Sequence, residues 1–382
     1  MRKSYLIFGS PKIEEEDIEG VVQTLRSGWI GTGPKVNEFE KEFAEYVGAK
    51  YAAAVSSCTA GLHLCVLALG IDKDSEVIVP TMTFAATANA VIHAGARPVF
   101  VDVDPLTMLI DPDDIRRKIT KRTKAIIPVH FAGRPCNIDE INKIADEHNL
   151  YIIHDNAHAI ESEYKGMRLG TSRDIAAYSF YVTKNLTTAE GGMVTTNNQE
   201  IAAKIKMYAL HGLTKDAWKR FSDDGYKHYQ IVYPGFKYNM TDIQASLGLS
   251  QFRKIEKFYS RRAELWQYYK NELKDLPLLL PPDPEPDTRH GFHLFILLLD
   301  INKTSLTRDQ VINKLHNMKI GTGVHYIALH LHPYYQQAYG YGSGDFPNAE
   351  FISERTFSIP FSANLTDEDA KDVVGALKLI LR

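Results

Sequence analysis

The sequence predicts an α/β protein with a largely parallel sheet, followed by a smaller α+β unit. Three observations carry this prediction. Short apolar runs alternate with helix-period segments over roughly the first 200 residues. The runs are continuously apolar, as in strands buried on both faces. After residue 250 the pattern changes to a long charged helix, a proline-rich stretch and a short series of strand and helix signals.

The elements follow in order. Glu14–Ser27 reads as a helix ahead of the first strand. Strands are expected at Tyr51–Val55, Glu76–Val79, Pro98–Val101, Lys124–Val129, Tyr151–His154 and Ile175–Tyr181. Helices are expected between them at Ala60–Leu69, Thr87–Ala94, Pro112–Ile119 and Ile138–His148. A further strand follows the turn at Gly191-Gly192. Ser250–Leu273 reads as one long helix whose basic residues, Arg253 to Arg262, form a solvated face. Pro277, Pro281, Pro282, Pro284 and Pro286 exclude helix from the stretch that follows. Phe292–Asp300 reads as a strand, Arg308–Met318 as a helix and Asp367–Leu381 as the closing helix, with Asp367 and Glu368 at its positive end. The boundary is expected at residue 250, giving a large unit over 1–250 and a small one over 251–382.

Composition narrows the function. The chain has 382 residues, 44 Lys+Arg against 47 Asp+Glu (net charge −3), 44% hydrophobic and 24% charged residues. That balance excludes a disordered chain and a basic nucleic-acid binder. Cys58, Cys65 and Cys136 are too few for a disulfide framework and suit a reducing compartment. The first apolar run is too short for a signal peptide, and no run approaches the roughly 18 apolar residues of a membrane span. The expectation is a cytoplasmic enzyme with no membrane or nucleic-acid partner.

Five segments carry chemistry. In Ser179-Phe-Tyr-Val-Thr-Lys184-Asn a lysine stands just past a strand end, at the usual ligand edge of a parallel sheet. There it can form a Schiff base with an aldehyde if its pKa is lowered. Tyr151-Ile-Ile-His-Asp155-Asn-Ala-His158 puts a carboxylate at a strand end, where it needs a cationic partner such as a protonated pyridine nitrogen. His158 can pack against such a ring or hold Asp155; a plain helix cap is the simpler role for Asp155 alone. Val55-Ser-Ser-Cys58-Thr59-Ala60 turns from a strand into a helix and offers free N–H groups to a phosphate, with Thr59 as a cap and hydroxyl donor. Phe84, beyond another strand end, can stack on a flat ring, and Ser179 can add a phosphate donor. Thr241 and Gln244 form a capping box that leaves Asn239 unexplained. Singly, each segment also has an ordinary structural reading.

As an ordered set, these segments resemble the DegT/StrS family of sugar aminotransferases within the fold-type I pyridoxal phosphate enzymes. The likeness runs from Ser27-Gly-Trp-Ile-Gly-Thr32-Gly-Pro-Lys35 through Pro80-Thr-Met-Thr-Phe84 and Glu190-Gly-Gly192. It continues to Lys237-Tyr-Asn239-Met-Thr-Asp-Ile-Gln-Ala245, Gly323-Val-His325-Tyr326 and Ser353-Glu-Arg355. The resemblance implies a mostly parallel seven-stranded sheet with a smaller C-terminal domain. It matches Lys184 to the Schiff-base lysine, Asp155 to the pyridinium partner, Phe84 to the stacking aromatic and His158 to the histidine beside the ring. Cys58, Thr59, Ala60 and Ser179 fall in the phosphate cradle. Cys58 replaces the family's usual small residue and should supply only its backbone N–H. Asn239 matches a residue that reaches the neighbouring subunit's phosphate, which implies a homodimer with shared sites.

The implied activity is transfer of an amino group from glutamate to a nucleotide-linked keto sugar, with pyridoxamine 5′-phosphate carried between two ping-pong half-reactions. Lys237-Tyr238-Asn239 and Gly321-Thr-Gly-Val-His325 look most like the branch acting at C4 of UDP-linked 4-keto sugars, the UDP-4-amino-4-deoxy-L-arabinose aminotransferase kind. Thr32, Tyr181, His325, Tyr326 and His330 are matched to the substrate cleft, although Tyr181 stands where many relatives have His. His330 and His332 alternate like metal ligands but lack a third partner, so no metal is expected. The alternatives are a pyridoxal-dependent sugar dehydratase, which in this family replaces the lysine by histidine, and a non-catalytic cofactor-binding regulator.

Overall fold

A computed structural model describes residues 2–170, 175–214 and 229–382. Its centre is a seven-stranded sheet made of β1 (Tyr51–Val55), β2 (Glu76–Pro80), β3 (Arg97–Val101), β4 (Thr123–Ile126), β5 (Tyr151–Asp155), β8 (Ile175–Ser179) and β9 (Gly192–Thr196). Two-residue strands β6 (Glu163–Tyr164) and β7 (Met167–Arg168) interrupt the numbering and pair elsewhere. The order across the sheet is β1-β9-β8-β5-β4-β2-β3. Every pairing is parallel except those of β9, which runs antiparallel to both β1 and β8. The carboxyl ends of β1, β2, β4, β5 and β8 therefore share one edge. Nearly every sheet residue is buried, which explains the unbroken apolar runs.

Helices cover both faces, and local signals start and stop them. α1 (Glu15–Ser27) opens on a Glu14–Asp17 capping box and ends at Gly28, φ 74°. α2 (Pro34–Val47) has Pro at its first position and buries Phe39 and Phe43 against the sheet residues Tyr178 and Met193. α3 (Cys58–Ala68) follows β1, and α4 (Ala85–His93) follows β2. α5 (Pro112–Lys118) is capped by Asp111 and α6 (Ile138–His148) by Asn137. α7 (Gln199–Ala209) follows β9, capped by Asn198.

The expected single helix over 250–273 is two. α8 (Asp242–Phe252) starts at the Thr241–Gln244 capping box, and α9 (Ile255–Leu273) follows after a break at Arg253–Lys254. The Lys254 ammonium lies 2.8 Å from the buried carboxylate of Asp17, which fixes the bend. The basic face is also not wholly solvated: Arg262 is fully buried in an ion pair with Glu161.

A second hydrophobic core lies between α9, α10 (Arg308–Asn317), α13 (Asp367–Leu381) and a three-stranded antiparallel sheet of β10 (Leu278–Leu279), β12 (Phe295–Leu299) and β13 (Thr356–Ile359). The short β11 (Thr288–Arg289) pairs with β6. α11 (Pro333–Tyr339) and α12 (Pro347–Arg355) pack Tyr335, Ala349 and Ile352 back onto the first core. Leu6 bridges to Ile320, whose side chain lies in this second core, and Gly9 packs against Thr183, next to Lys184. Among the described residues no helix is long and apolar enough to cross a membrane.

Candidate active site

Each strand end on the shared edge delivers one group. β5 ends at Asp155, whose side chain is buried. Its Oδ2 accepts from Thr87 Oγ1 at 2.8 Å, and Oδ1 accepts from the Ala157 N–H at 3.1 Å. The Cys58 sulfur lies 4.0 Å from Oδ1. Burial pushes the Asp155 carboxyl up, against the pull of Thr87, Ala157 and Lys184. A buried carboxylate in this position is completed by a cation. β8 ends at Ser179, and the turn closed by the Lys184 N–H on the Tyr181 carbonyl (2.9 Å) presents Lys184. Lys184 is partly buried, and desolvation lowers its pKa to about 8 although Cys58 and Asp155 oppose this. A lysine near 8 keeps about a tenth of its amine free at neutral pH, far more than an ordinary lysine.

β1 leads into the N-terminus of α3. Ser57, rather than Thr59, is the cap, accepting from the Ala60 N–H at 3.1 Å. The first-turn N–H groups of Cys58 and Thr59 remain available to an anion. Gly192, which pairs with both Val55 and Ser179, approaches so closely that a Cβ there would meet the Ser57 carbonyl carbon at 2.5 Å. The Ser179 hydroxyl is buried and takes only a long bond, 3.4 Å, from the Tyr181 N–H. Cys58 is buried with its thiol pushed well up, so it carries no thiolate. Asn239 bridges to Val55; its Nδ2 donates to Thr32 Oγ1 at 2.6 Å, and its buried Oδ1 has no partner among the described residues. An acid that needs a cation, a lysine of lowered pKa and a helix N-terminus free for an anion match the ring nitrogen, aldehyde and phosphate of pyridoxal 5′-phosphate.

Aromatic and imidazole groups surround the pair. Phe84 caps α4 and is 61% exposed, its ring 6.0 Å from Tyr326. Tyr326 also contacts Phe131 and His325. His158 is buried, its Nδ1 accepts from the Ala132 N–H at 3.2 Å, and among the described residues it makes no hydrogen bond to Asp155. His325 Nδ1 lies 2.8 Å from Ser358 Oγ, and Phe8 packs 5.5 Å from its ring. Tyr181 is exposed at the mouth. His330 is placed elsewhere: it is fully buried, with Nδ1 on Thr81 Oγ1 (2.8 Å) and Nε2 on Glu350 (3.1 Å), so neither nitrogen is free for a substrate.

Several residues here were not anticipated from sequence. Thr87 is legible only once Asp155 is seen to need a donor. Asn185, Glu161, Arg262 and His293 are brought together from four distant segments. Ala132 (φ 55°) and Phe292 (φ 46°) sit in the left-handed region beside this cluster, at a cost of about 1–3 kcal/mol each.

The sheet order and the lysine one turn past β8 place the chain among the α/β aminotransferases. A sequence model of the DegT/DnrJ/EryC1/StrS aminotransferase family matches residues 11–378, and the chain belongs to that family. The spore coat polysaccharide biosynthesis protein SpsC of Bacillus subtilis is 45% identical over 382 residues, covering 100% of this chain and 98% of SpsC. Spr1654 of Streptococcus pneumoniae has been solved in its pyridoxamine phosphate and pyridoxal phosphate forms. The latter superposes with a TM-score of 0.91 at 32% identity, covering 98% of each chain. Helicobacter pylori PseC, an aminotransferase involved in the biosynthesis of pseudoaminic acid, gives 0.90 at 28% identity over 99% of each chain. The cofactor is pyridoxal 5′-phosphate.

Proposed function

We propose that the protein moves an amino group from glutamate to the keto carbon, C4, of a nucleotide-linked sugar. The observation that carries this reading is the pairing of Lys184 and Asp155 on the carboxyl edge of the sheet in a chain of this family. Polysaccharide biosynthesis in the name of SpsC supports a sugar acceptor. When bound, pyridoxal phosphate supplies an aldehyde that accepts the amine and a ring that withdraws electrons.

The chain's residues then have distinct tasks. Asp155 would hold the ring nitrogen protonated. The free N–H groups of Cys58 and Thr59, with Ser179, would bind phosphate, whereas the Ala60 N–H expected there is committed to the Ser57 cap. Phe84 and His158 would hold the ring. Lys184 would hold the aldehyde, and its amine would take and return the proton at the donor's Cα. Tyr181, His325, Tyr326 and Thr32 line the approach of the sugar. Two half-reactions sharing one site give ping-pong kinetics.

Incubation with glutamate alone should yield stoichiometric 2-oxoglutarate. Product mass and NMR with a panel of UDP-linked keto sugars should place nitrogen at C4. A product that loses oxygen without gaining nitrogen would favour a dehydratase, which the retained Lys184 opposes. We also propose a homodimer in which Asn239 serves the partner's phosphate. Mixing Lys184→Ala with Asn239→Ala subunits should then restore about one quarter of the sites in freely exchanging dimers; no recovery would place Asn239 within its own subunit's site.

A further inference from the structure

Asn185 follows Lys184 in the chain and has no part in the proposed chemistry, yet both polar atoms of its side chain are committed. Nδ2 donates to Glu161 Oε2 at 2.8 Å and to the Gly291 carbonyl at 2.8 Å. Both amide hydrogens are then spent, so Oδ1 is the acceptor in the 3.0 Å contact with His293 Nδ1. The reversed amide would set its oxygen against a carboxylate and a carbonyl, which are both acceptors. The three partners therefore call for a short planar group with two donors on one arm and an acceptor on the other.

Those partners are themselves held. Glu161 is fully buried, and its other oxygen receives Arg262 of α9. Arg262 Nε donates to the Phe292 carbonyl at 3.0 Å, between two of the residues that Asn185 grips. The Gly291 N–H donates to the Gly133 carbonyl at 2.7 Å, and the His293 N–H to the Ala132 carbonyl at 3.0 Å. The 291–293 segment is thus fixed on both sides where Asn185 meets it. On the other flank of the lysine, the chain at Gly9 passes so close that a Cβ there would meet Thr183 Cγ2 at 3.0 Å. The turn itself binds the lysine backbone through its N–H on the Tyr181 carbonyl, 2.9 Å. A turn with so little backbone bonding is held in place by what its side chains grip.

We propose that Asn185 is a positioning residue for Lys184: its side chain ties the lysine turn to Glu161 and the 291–293 segment, and so fixes the point from which the lysine reaches into the site. The lysine stem is a flexible four-carbon chain, so its amine is aimed only as well as its root is held. Misplacing a reacting group by about 1 Å costs on the order of 100-fold in rate. The proposal rests on Lys184 being the reactive amine of the proposed function.

Asn185→Ala removes all three bonds. Asn185→Asp keeps the shape but sets acceptors against Glu161 and Gly291, and it serves where the alanine variant does not fold. Hydrogen–deuterium exchange of the cofactor-free protein reads the anchor: backbone amides of residues 181–187 should exchange at least about tenfold faster in either variant. Unchanged exchange there would overturn the proposal. A second readout separates aiming from folding. Lys184→Ala should release 2-oxoglutarate from glutamate only when methylamine is added as a diffusible base. With Lys184 in place, either substitution of Asn185 should slow single-turnover release about 100-fold. In the Lys184→Ala background with methylamine, the same substitution should change the rate by less than about twofold, because no tethered amine is left to aim. Equal losses in both backgrounds would overturn the proposal and leave Asn185 a structural residue. Wild-type release by Lys184→Ala without methylamine would instead sink the reading of Lys184, and the aiming role with it, whatever the exchange shows of the anchor.

Discussion

Thr87 donates its hydroxyl to Asp155 at 2.8 Å, joining two buried side chains 68 positions apart in the chain. Because that hydrogen is committed, Thr87 Oγ1 must itself accept from Thr83 Oγ1, which lies 2.8 Å away. Donors are thereby aligned onto the one carboxylate that would face the cofactor's ring nitrogen.

Replacing Thr87 by Val should raise the Asp155 carboxyl further, since Thr87 is the strongest influence holding it down. A hydrogen bond to a charged group is worth about 2 kcal/mol, so the cofactor dissociation constant should rise roughly 30-fold. Thr87→Ser should stay near wild type. Fluorescence titration of both variants with pyridoxal phosphate at one pH checks this, and equal affinities would mean that Thr87 serves packing alone.

Lys184 should leave a signature in the pH dependence of stability of the cofactor-free protein. Its folded pKa, about 8, lies below the ordinary 10.5. Below about 8 both folded and unfolded chains hold the proton, and the full burial penalty is present. Between about 8 and 10.5 the unfolded chain holds more proton, so stability gains as pH rises. The gap of about 2.5 units sets a ceiling of about 3 kcal/mol on this gain. Lys184→Met should remove the alkaline gain and be the more stable protein below pH 8, as read from denaturant midpoints at a series of pH values.

The strands and the main reactive groups were legible because they are local. Tyr51–Val55 and Tyr151–Ile153 are uninterrupted apolar runs; Asp155 stands at a strand end and Lys184 in the turn just past one. What escaped is what depends on pairing at a distance. The break at Lys254 requires Asp17, which is 237 positions away. Arg262 looks like one more basic residue on a charged helix until Glu161 is brought against it. His330 has the look of a cleft residue in sequence, yet Thr81 and Glu350 close over both its nitrogens. The cap of α3 was misplaced by two residues because Ser57 and Thr59 are chemically equivalent there and only the backbone distinguishes them.

The buried pair of Glu161 and Arg262 gives a third test. Arg262→Met leaves a buried carboxylate with only Asn185 as donor, and breaking such a pair costs about 3–5 kcal/mol. The double variant Glu161→Gln/Arg262→Met removes both charges and should recover most of that loss. Thermal unfolding of the single and double variants measures the coupling. Equal destabilisation in both would mean that Arg262 acts through its bonds to the 290–293 segment instead of through its charge.

Gly192 offers the most direct test of the phosphate cradle. A methyl group there would meet the Ser57 carbonyl carbon at 2.5 Å, the Cys58 nitrogen at 2.6 Å and the Ser57 oxygen at 2.8 Å. All three are backbone atoms, so no side chain can swing aside. The Ser57 carbonyl also receives the Gly61 N–H at 3.0 Å, which ties any shift to the first turn of α3. Gly192→Ala should cost about 1–3 kcal/mol of stability by overpacking while leaving the protein folded. Displaced N–H groups should weaken the hold on a phosphate by at least roughly tenfold. Unphosphorylated pyridoxal makes no use of that turn, so its affinity should be unchanged. Parallel titrations of wild type and Gly192→Ala with pyridoxal and with pyridoxal phosphate separate the two effects. Equal loss for both ligands would mean that the substitution disturbs the ring site, and that the phosphate is held elsewhere.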